Sequence, residues 1–305
     1  MIVRPETPAD YAAIAAINVR AFGDRAAEAT IVALHRQRAA FDPALSLVAE
    51  QDGRVVGHAL FSPRDIRLLG ETVRAVNLAP IAVDPAFQRG GVGGRLIEAR
   101  HAAARALGYR LSFLLGHTSY YPRFGYQTDA YGAASVVAPA AGPPGEQLVT
   151  RAPAGGDLPA LRELWLREEG AVDFAIEPGA DLLEWLSPNP AIAAAVWLRG
   201  ETVVGYTRVH AAEKARPRMF LAADHAAARA IAAAIAEAAG AASVTLPLHP
   251  ASASAGAFGR PKAESWEPAM ACVLAPSPFE EYYARVVAGE RVPGRPVWPV
   301  EFDLE

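Results

Sequence analysis

Four glycines fall within five positions in the segment Gln88–Gly94, which reads QRGGVGG. It follows an apolar, β-rich run over residues 76–83 and precedes a stretch whose apolar residues keep helical spacing up to Gly108. Glycine lets a backbone bend tightly and approach a ligand without a Cβ in the way. A helix N-terminus offers unpaired N–H groups that bind phosphate. The order of strand, glycine loop and helix therefore predicts a pyrophosphate site, to which Arg89 and Arg95 add positive charge.

Two common phosphate-binding motifs do not fit this loop. A dinucleotide fingerprint needs G-x-G-x-x-G after the first strand of a βαβ unit, whereas this loop follows the fourth or fifth predicted strand. The phosphate loop of nucleotide hydrolases needs Gly-Lys-Ser/Thr, which the sequence lacks. A glycine-rich surface turn is a further alternative, but it would not explain the strand before the loop and the amphipathic helix after it.

The loop resembles the coenzyme A loop of the GNAT acetyltransferases, whose pattern is Q/R-x-x-G-x-G/A. Gln88, Gly91 and Gly93 stand at the matching positions. Further along, Tyr121 precedes Gly125 by four residues, which resembles the final motif of the same family. In that family the tyrosine lies near the thioester sulfur and can protonate the leaving thiolate. The resemblance therefore implies that Tyr121 is the general acid, the alternative being a buried aromatic residue of the core.

Two more segments, 55–63 and 78–83, resemble one subgroup, the YhbS-like acetyltransferases. The resemblance covers residues 1–137 and implies an α/β fold with a mixed, mostly antiparallel sheet flanked by helices. It implies acetyl-CoA as co-substrate and a small-molecule or peptide amine as acceptor. Because the amine attacks the thioester directly in this family, no protein nucleophile is needed. No metal is expected either, because no CxxC or His/Cys cluster has the spacing of a zinc site.

The resemblance also assigns the contacts to the coenzyme. The central strand would pair with the pantetheine arm, and the loop would hold the pyrophosphate. The residues expected to bind coenzyme are Ile81, Ala82, Val83, Gln88, Arg89, Gly90, Gly91, Val92, Gly93, Gly94 and Ser119. For Ser119, capping of the short helix that follows is an equal alternative.

A general base is harder to assign. His58 lies on a predicted hairpin strand and His117 follows a strand end. A histidine with a pKa of about 6.5 suits the deprotonation of an amine, so both are candidates, although each could instead be packed for structural reasons. Glu50 is a further candidate, with a solvated hairpin acid as its alternative, and Asn77 could align a water. A water relay would need no single base.

The chain divides near its middle. A Pro/Gly-rich linker is predicted at 138–146, between a catalytic domain at 1–137 and a second lobe at 147–275, with a tail at 276–305. The second half repeats the order of the first. Val55 lies 45 residues after Asp10, and Val203 lies 46 residues after Asp157; each interval runs from a helix start to a hairpin Val-Val-Gly. We therefore predict tandem copies of one GNAT-like fold.

The second copy departs from the pattern at the loop. Leu221–Asp224 aligns with Ile81–Asp84, but only four residues then precede Arg229, where ten precede Arg95 in the first copy. The second lobe is therefore expected to be degenerate and to shape the acceptor site or support the first lobe. The Eis-like acetyltransferases show a similar two-lobe plan. We expect aromatic residues of the tail to dock it, and the carboxylate of Glu305 is a candidate to reach the first-lobe cleft.

Composition limits the remaining classes. The chain has 29 Lys+Arg against 33 Asp+Glu, a net charge of −4, which argues against nucleic acid as a partner. Residues 1–140 hold 15 basic and 12 acidic residues, leaving 14 and 21 for the rest. Apolar runs are far shorter than the roughly 20 residues that cross a membrane. The lone Cys272 and the absence of a signal-peptide pattern predict a cytoplasmic protein.

Two rivals stay open at this stage. One is a non-catalytic acyl-CoA-binding or regulatory module, and the other is a nucleotide-binding oxidoreductase. The acceptor, the acyl chain length and the oligomeric state, monomer or homo-oligomer, are not fixed by the sequence.

Overall fold

The computed structural model describes residues 1–140 and 147–304. Its helices are α1 (Tyr11–Ala21), α2 (Ala27–Arg36), α3 (Val92–Ala106), α4 (Leu158–Glu169), α5 (His225–Ala239) and α6 (Phe279–Val287). Its strands are β1 (Ile2–Pro5), β2 (Ser46–Gln51), β3 (Arg54–Leu68), β4 (Glu71–Val83), β5 (Leu111–Leu115), β6 (Gly132–Pro139), β7 (Val149–Arg151), β8 (Ile192–Arg199), β9 (Thr202–His210), β10 (Met219–Ala222), β11 (Ser243–Leu246), β12 (Lys262–Ser265) and β13 (Ala269–Val273).

The first sheet has the strand order β1-β2-β3-β4-β5-β13, and every neighbouring pair is antiparallel except β4 and β5. The predicted α/β fold with a mixed, mostly antiparallel sheet is confirmed. Residues 54–83 form one long hairpin of β3 and β4. The polar residues Arg64 and Asp65 interrupt the apolar pattern there, but burial still alternates, since Arg64, Ile66 and Leu68 are buried and Asp65 is exposed.

Helices cover both faces of this sheet. On one face, Leu96 of α3 packs in the same core as Leu47 of β2. On the other face, Ile14 of α1 and Val32 of α2 pack with Val48 of β2. Successive residues of β2 thus point to opposite layers, as the period of a strand requires.

The two halves exchange a strand. β6 follows the first lobe in sequence but pairs with β11 and β12, whereas β13 closes the first sheet on β5. The predicted limits 1–137, 138–146 and 147–275 are corrected accordingly, because they cut through β6 and separate β13 from its sheet. Pro139 ends a strand rather than lying in a linker, and residues 141–146 of that predicted linker lie outside the described residues.

Equivalent contacts in the two halves support the predicted repeat. Arg4 forms a two-bond ion pair with Asp10 at 2.8 and 2.9 Å, and Arg151 forms the same pair with Asp157 at 2.6 and 2.7 Å. Each carboxylate also accepts a hydrogen bond from a backbone N–H three residues earlier, which caps the helix that follows. The same local sequence therefore builds the same entrance to α1 and α4.

The tail packs against the first lobe. Tyr282 of α6 donates to the carbonyl of Ala130 at 2.9 Å, and Trp298 stacks on Phe113 with ring centroids 6.3 Å apart. The aromatic docking expected from the sequence is confirmed. The 3₁₀ helix Val300–Leu304 follows; Glu305, the candidate to reach the cleft, lies outside the described residues.

No helix in the described ranges is long and apolar enough to cross a membrane.

Candidate active site

A gap opens between β4 and β5 at the centre of the first sheet. Their pairing ends at Asn77 and Phe113, although β4 continues to Val83 and β5 to Leu115. β4 also carries one extra residue opposite Leu60, which is a β-bulge. From Leu78 onward, β4 therefore lacks β5 as a partner and can pair with an extended ligand, although the carbonyl of Val83 already accepts from Nε2 of Gln88 at 3.1 Å.

A cleft of about 1010 Å³ occupies this gap. The sequence-predicted coenzyme residues Ile81, Ala82 and Val83 line it, as do Gln88, Arg89, Gly91, Val92, Gly93 and Gly94. The other walls come from the end of α1, the first half of α2, the end of β5, the 3₁₀ turn after it and Phe302 of the tail. The structure thus brings together two segments that the sequence predicted to bind one ligand.

The glycine loop is shaped for close approach at the start of α3. Gly91 is the N-cap residue with φ of 79°, in the left-handed region that favours glycine. The ring of Tyr120 lies directly beside Gly93. Since the first N–H groups of a helix have no partner within it, the amides that follow Gly91 form a binding surface for an anion.

Positive charge surrounds this helix start. Arg89 and Arg123 line the cleft, and Arg123 also stacks over the ring of Tyr120 at 4.6 Å. The nearby carboxylate of Asp84 is already held by Arg20 at 2.8 Å and Arg54 at 2.9 Å. It therefore does not oppose the binding of a polyanion.

Tyr121 lines the same cleft, and its ring packs against Gly116 at the end of β5. Its side chain is buried, and burial raises its pKa to about 12. The phenol therefore stays protonated at neutral pH and can donate a proton or hydrogen bond to an atom bound in the gap.

His58 lies elsewhere. It is fully buried, 3.0 Å from the hydroxyl of Ser46 and 3.4 Å from the carboxylate of Glu6, and burial lowers its pKa. It is not among the residues that line the cleft. This position corrects the expectation of a catalytic base at His58, because a side chain enclosed by the core does not reach an amine in the cleft.

The other predicted polar residues divide between the cleft and its surroundings. His117 is exposed and lines the cleft, whereas Ser119 and Gly90 are not among the lining residues. Glu50 forms an ion pair with Arg4 at 2.8 Å, which explains it structurally. Asn77 lies at the start of the gap, where its Nδ2 donates to the carbonyl of Phe113 at 3.1 Å.

Sequence reasoning missed Glu28 of α2. Its side chain is buried and lines the cleft; Arg25 binds its Oε1 at 2.9 Å, while Oε2 has no hydrogen-bond partner among the described residues. The missed signal is helical spacing, since Glu28 shares a face with the buried Ile31 and His35. An acidic residue on the apolar face of a helix is unusual unless it is paired or binds a ligand.

The second lobe has no comparable loop. Only two residues separate β10 from α5, and the second of them, Asp224, caps α5 by accepting from the N–H of Ala227 at 2.8 Å. A carboxylate therefore stands at this helix start, where Gly91 leaves the helix start of α3 open. The loss of coenzyme binding in the second copy stays a prediction.

Cys272 belongs to the first lobe in space, although it lies in the second half of the sequence. Its side chain is 4% exposed in β13, and burial raises the pKa of its thiol to about 11. A buried thiol with a raised pKa is a poor nucleophile.

Among residues 1–140 and 147–304, no group of three or more His, Cys, Asp or Glu side chains is arranged to hold a metal ion.

Comparison with known proteins agrees with this geometry. The family model described as "Acetyltransferase (GNAT) domain" matches residues 2–128. The chain is 40% identical over 121 residues to the uncharacterized N-acetyltransferase YjhQ of Escherichia coli K12, covering 40% of this chain and 66% of that relative. It is 35% identical over 132 residues to the uncharacterized N-acetyltransferase YhbS of the same strain, covering 43% of this chain and 76% of the relative.

A solved structure extends the likeness to both lobes. The GCN5-related N-acetyltransferase of Anabaena variabilis ATCC 29413 matches with a TM-score of 0.68 at 13% identity, over 90% of this chain and 72% of that one. At this identity the likeness concerns the fold alone. The resemblance noted in the sequence, including its YhbS-like character, is confirmed by these comparisons.

Proposed function

Because the chain belongs to the GNAT acetyltransferase family and is an acyltransferase, we propose that it moves an acetyl group from acetyl-CoA to an amine in the gap between β4 and β5. The observation that carries this proposal is the single cleft shared by the free edge of β4, the glycine loop at α3 and Tyr121. The pantetheine arm would pair with Ile81–Val83, and the pyrophosphate would meet the start of α3, aided by Arg89 and Arg123.

The reaction is a direct transfer. The amine nitrogen forms a bond to the thioester carbonyl carbon, and the carbon–sulfur bond breaks. The amine loses one proton to a base, and the departing thiolate gains one from Tyr121. Tyr121 then recovers a proton from solvent as the base releases its own, so the products are an N-acetylamine and free coenzyme A. Most of the rate enhancement comes from holding the amine and thioester together and from stabilising the carbonyl oxygen. No cysteine takes part, in agreement with the buried thiol of Cys272.

Glu28 is the carboxylate that lines the cleft, which makes it the candidate to receive the proton of the amine. Arg25 holds one of its oxygens while the other is unpartnered among the described residues. His117 is the alternative base, because it also lines the cleft. An enclosed carboxylate would in addition attract the positive charge of an incoming ammonium ion.

The test is thiol release from acetyl-CoA across a panel of amines, combined with direct titration of acetyl-CoA and NAD. We expect saturable acetyl-CoA binding, amine-dependent release of thiol and no NAD binding. Tight coenzyme binding with no release on any amine would favour the non-catalytic acyl-CoA-binding module. NAD binding without coenzyme A binding would favour the oxidoreductase. The cytoplasmic location stays a prediction from the sequence.

A further inference from the structure

A second cavity, of about 330 Å³, adjoins the coenzyme cleft at the junction of the two lobes and the tail. Leu78, Ala79, Leu115 and Phe302 line both spaces. The gap between β4 and β5, where the thioester would lie, therefore opens into this cavity. A ligand held there has direct access to the acetyl group.

Three arginines stand in the wall of this second cavity, against one carboxylate. Arg208 and Arg218 come from the second lobe, and Arg295 and Asp303 come from the tail. Asp303 binds Arg208 through Oδ2 at 3.0 Å and Arg218 through Oδ1 at 3.2 Å, so both of its oxygens are occupied. After this pairing, one positive charge of Arg208 and Arg218 is left over.

Arg295 is bound by a carboxylate on the side away from the cavity. Its Nη2 binds both carboxylate oxygens of Glu169, at 2.7 and 3.0 Å, and Glu169 is not among the residues that line the cavity. This pair is neutral, but it leaves Nε and Nη1 of Arg295 without partners among the described residues. Nε of Arg208 lacks a partner in the same ranges. These nitrogens have almost no accessible surface, so they add positive charge to the cavity wall but are not themselves open to a ligand.

Arg218 is the arginine free to move toward such a ligand. Its side chain is 31% exposed and makes one ion pair, whereas those of Arg208 and Arg295 are almost fully buried. A guanidinium presents several N–H donors in a plane and matches a carboxylate through two parallel bonds. Arg218 can therefore keep Asp303 and still bind a second carboxylate.

The rest of the cavity is apolar and small. Pro247, Pro296, Val297 and Trp298 complete its walls. Small-molecule sites span roughly 300–1,000 Å³, so this cavity is at the lower end of that range. Asn77 also borders it, and its Oδ1 has no partner among the described residues. That oxygen has almost no accessible surface, so Asn77 forms the end of the cavity nearest β4 but offers no exposed acceptor there.

We propose that this cavity is the acceptor subsite and that the acceptor is a small amine carrying a carboxylate, an amino acid with an apolar side chain. The arginine wall binds the carboxylate, the proline and tryptophan wall covers the side chain, and the amine points toward the gap. The inference rests on the proposed acetyl transfer, and it assigns the second lobe and the tail a part in choosing the substrate.

The experiment compares apolar amino acids with the matched amines that lack the carboxylate. The set is phenylalanine, phenethylamine, phenylalaninamide and the phosphonate analogue of phenylalanine, with the leucine series beside it. We expect kcat/KM for the free amino acid to exceed that for phenethylamine and for the amide by about tenfold or more. Equal use of the amide, or preference for the phosphonate, would overturn the carboxylate assignment.

Two variants locate the effect. Arg218→Met should raise KM for the amino acid by about tenfold or more, a clearly larger change than it causes for phenethylamine, while KM for acetyl-CoA does not change. Arg218→Lys should recover part of the loss, because it keeps the charge. Arg216→Met, two residues away, exposed and outside the cavity, is the matched control. An unchanged amino-acid KM in Arg218→Met would overturn the proposal.

A binding measurement separates this proposal from the proposed function. N-acetylphenylalanine is titrated into the protein saturated with coenzyme A, with N-acetylphenethylamine as the matched ligand. Binding of the first that weakens in Arg218→Met supports the carboxylate subsite whether or not turnover is seen. Failure of every amine to release thiol would count against acetyl transfer, whereas turnover with equal affinity for both acetylated products would count against the subsite alone.

Discussion

The hydroxyl oxygen of Tyr120 lies 2.6 Å from the position that a Cβ atom on Gly93 would occupy. Atoms at that separation overlap, so only glycine fits the loop while Tyr120 keeps its place. Tyr120 is itself fixed by ring contacts with Tyr121 and Phe124, at centroid distances of 5.2 and 5.3 Å. The start of α3 and the tyrosine pair are therefore coupled.

Gly93→Ala should weaken acetyl-CoA binding by roughly tenfold or more, because the added methyl displaces either the helix start or Tyr120. The next atom of Tyr120, Cζ, lies 3.7 Å from the same position, which is ordinary contact. Removing the hydroxyl should therefore restore the fit. Calorimetric titration of acetyl-CoA into Gly93→Ala, Tyr120→Phe and the double variant checks this. A double variant that binds no better than Gly93→Ala would contradict the steric account.

Glu28→Gln should lower kcat at neutral pH by about 10²-fold or more, the usual scale of a positioned proton acceptor. Acetyl-CoA affinity should not change. The loss should shrink at high pH, where the amine is already deprotonated in solution. Steady-state kinetics across pH measure this, with Glu98→Gln on the exposed side of α3 as control. A loss of equal size at every pH would point to a structural role for Glu28.

Glu168 gives stability a pH dependence. The carboxyl is buried, and burial raises its pKa from 4.5 to about 7 despite two hydrogen bonds from Ser254. Because the folded protein binds the proton of Glu168 more tightly than the unfolded chain does, protonation stabilises the fold. This stabilisation is complete below the unfolded pKa of 4.5 and is lost as the pH rises through about 7. The free energy of unfolding of the wild type, relative to Glu168→Gln, should therefore fall by about 2–3 kcal/mol between about pH 5 and about pH 8.

Urea unfolding of both proteins at several pH values measures this difference. Glu163→Gln, on the exposed side of the same helix, is the control and should show no such trend. A wild-type advantage that grows with pH would mean that the folded-state pKa of Glu168 is lowered instead.

Cys272→Ala should keep kcat unchanged, because direct attack by the amine needs no thiol. The native thiol should react with a soluble thiol reagent far more slowly than the unfolded protein does, since it is 4% exposed and its pKa is raised to about 11. Labelling kinetics with and without denaturant check the second statement. Loss of acetyl transfer in a folded Cys272→Ala protein would instead indicate an acyl-enzyme intermediate.

The sequence predicts what depends on local pattern. The glycine loop and Tyr121 are recognisable because each motif is a short segment whose residue spacing determines its local conformation. The repeat is visible because Arg4–Asp10 and Arg151–Asp157 are pairs of residues close in sequence. The exchange of β6 and β13 was not predictable, because strand pairing between distant segments leaves no local pattern.

The same limit applies to the acceptor side. Arg218 and Asp303 meet across 85 positions of the chain, so no spacing rule joins them. His58 was misplaced for the opposite reason. A histidine on a strand between small residues is compatible with a cleft or a core, and only the packing around Ser46 and Glu6 decides between them.

The most direct test of the account is the single-turnover rate of acetyl transfer in Tyr121→Phe, compared with Tyr120→Phe, at saturating acetyl-CoA and amine. Tyr121→Phe keeps the ring that packs against Gly116 and removes only the proton donor. We predict a rate about 10²-fold or more below the wild type for Tyr121→Phe, near-wild-type transfer for Tyr120→Phe and unchanged coenzyme binding for both. Equal transfer rates in wild type and Tyr121→Phe would contradict the assignment of Tyr121 as the acid that protonates the departing thiolate.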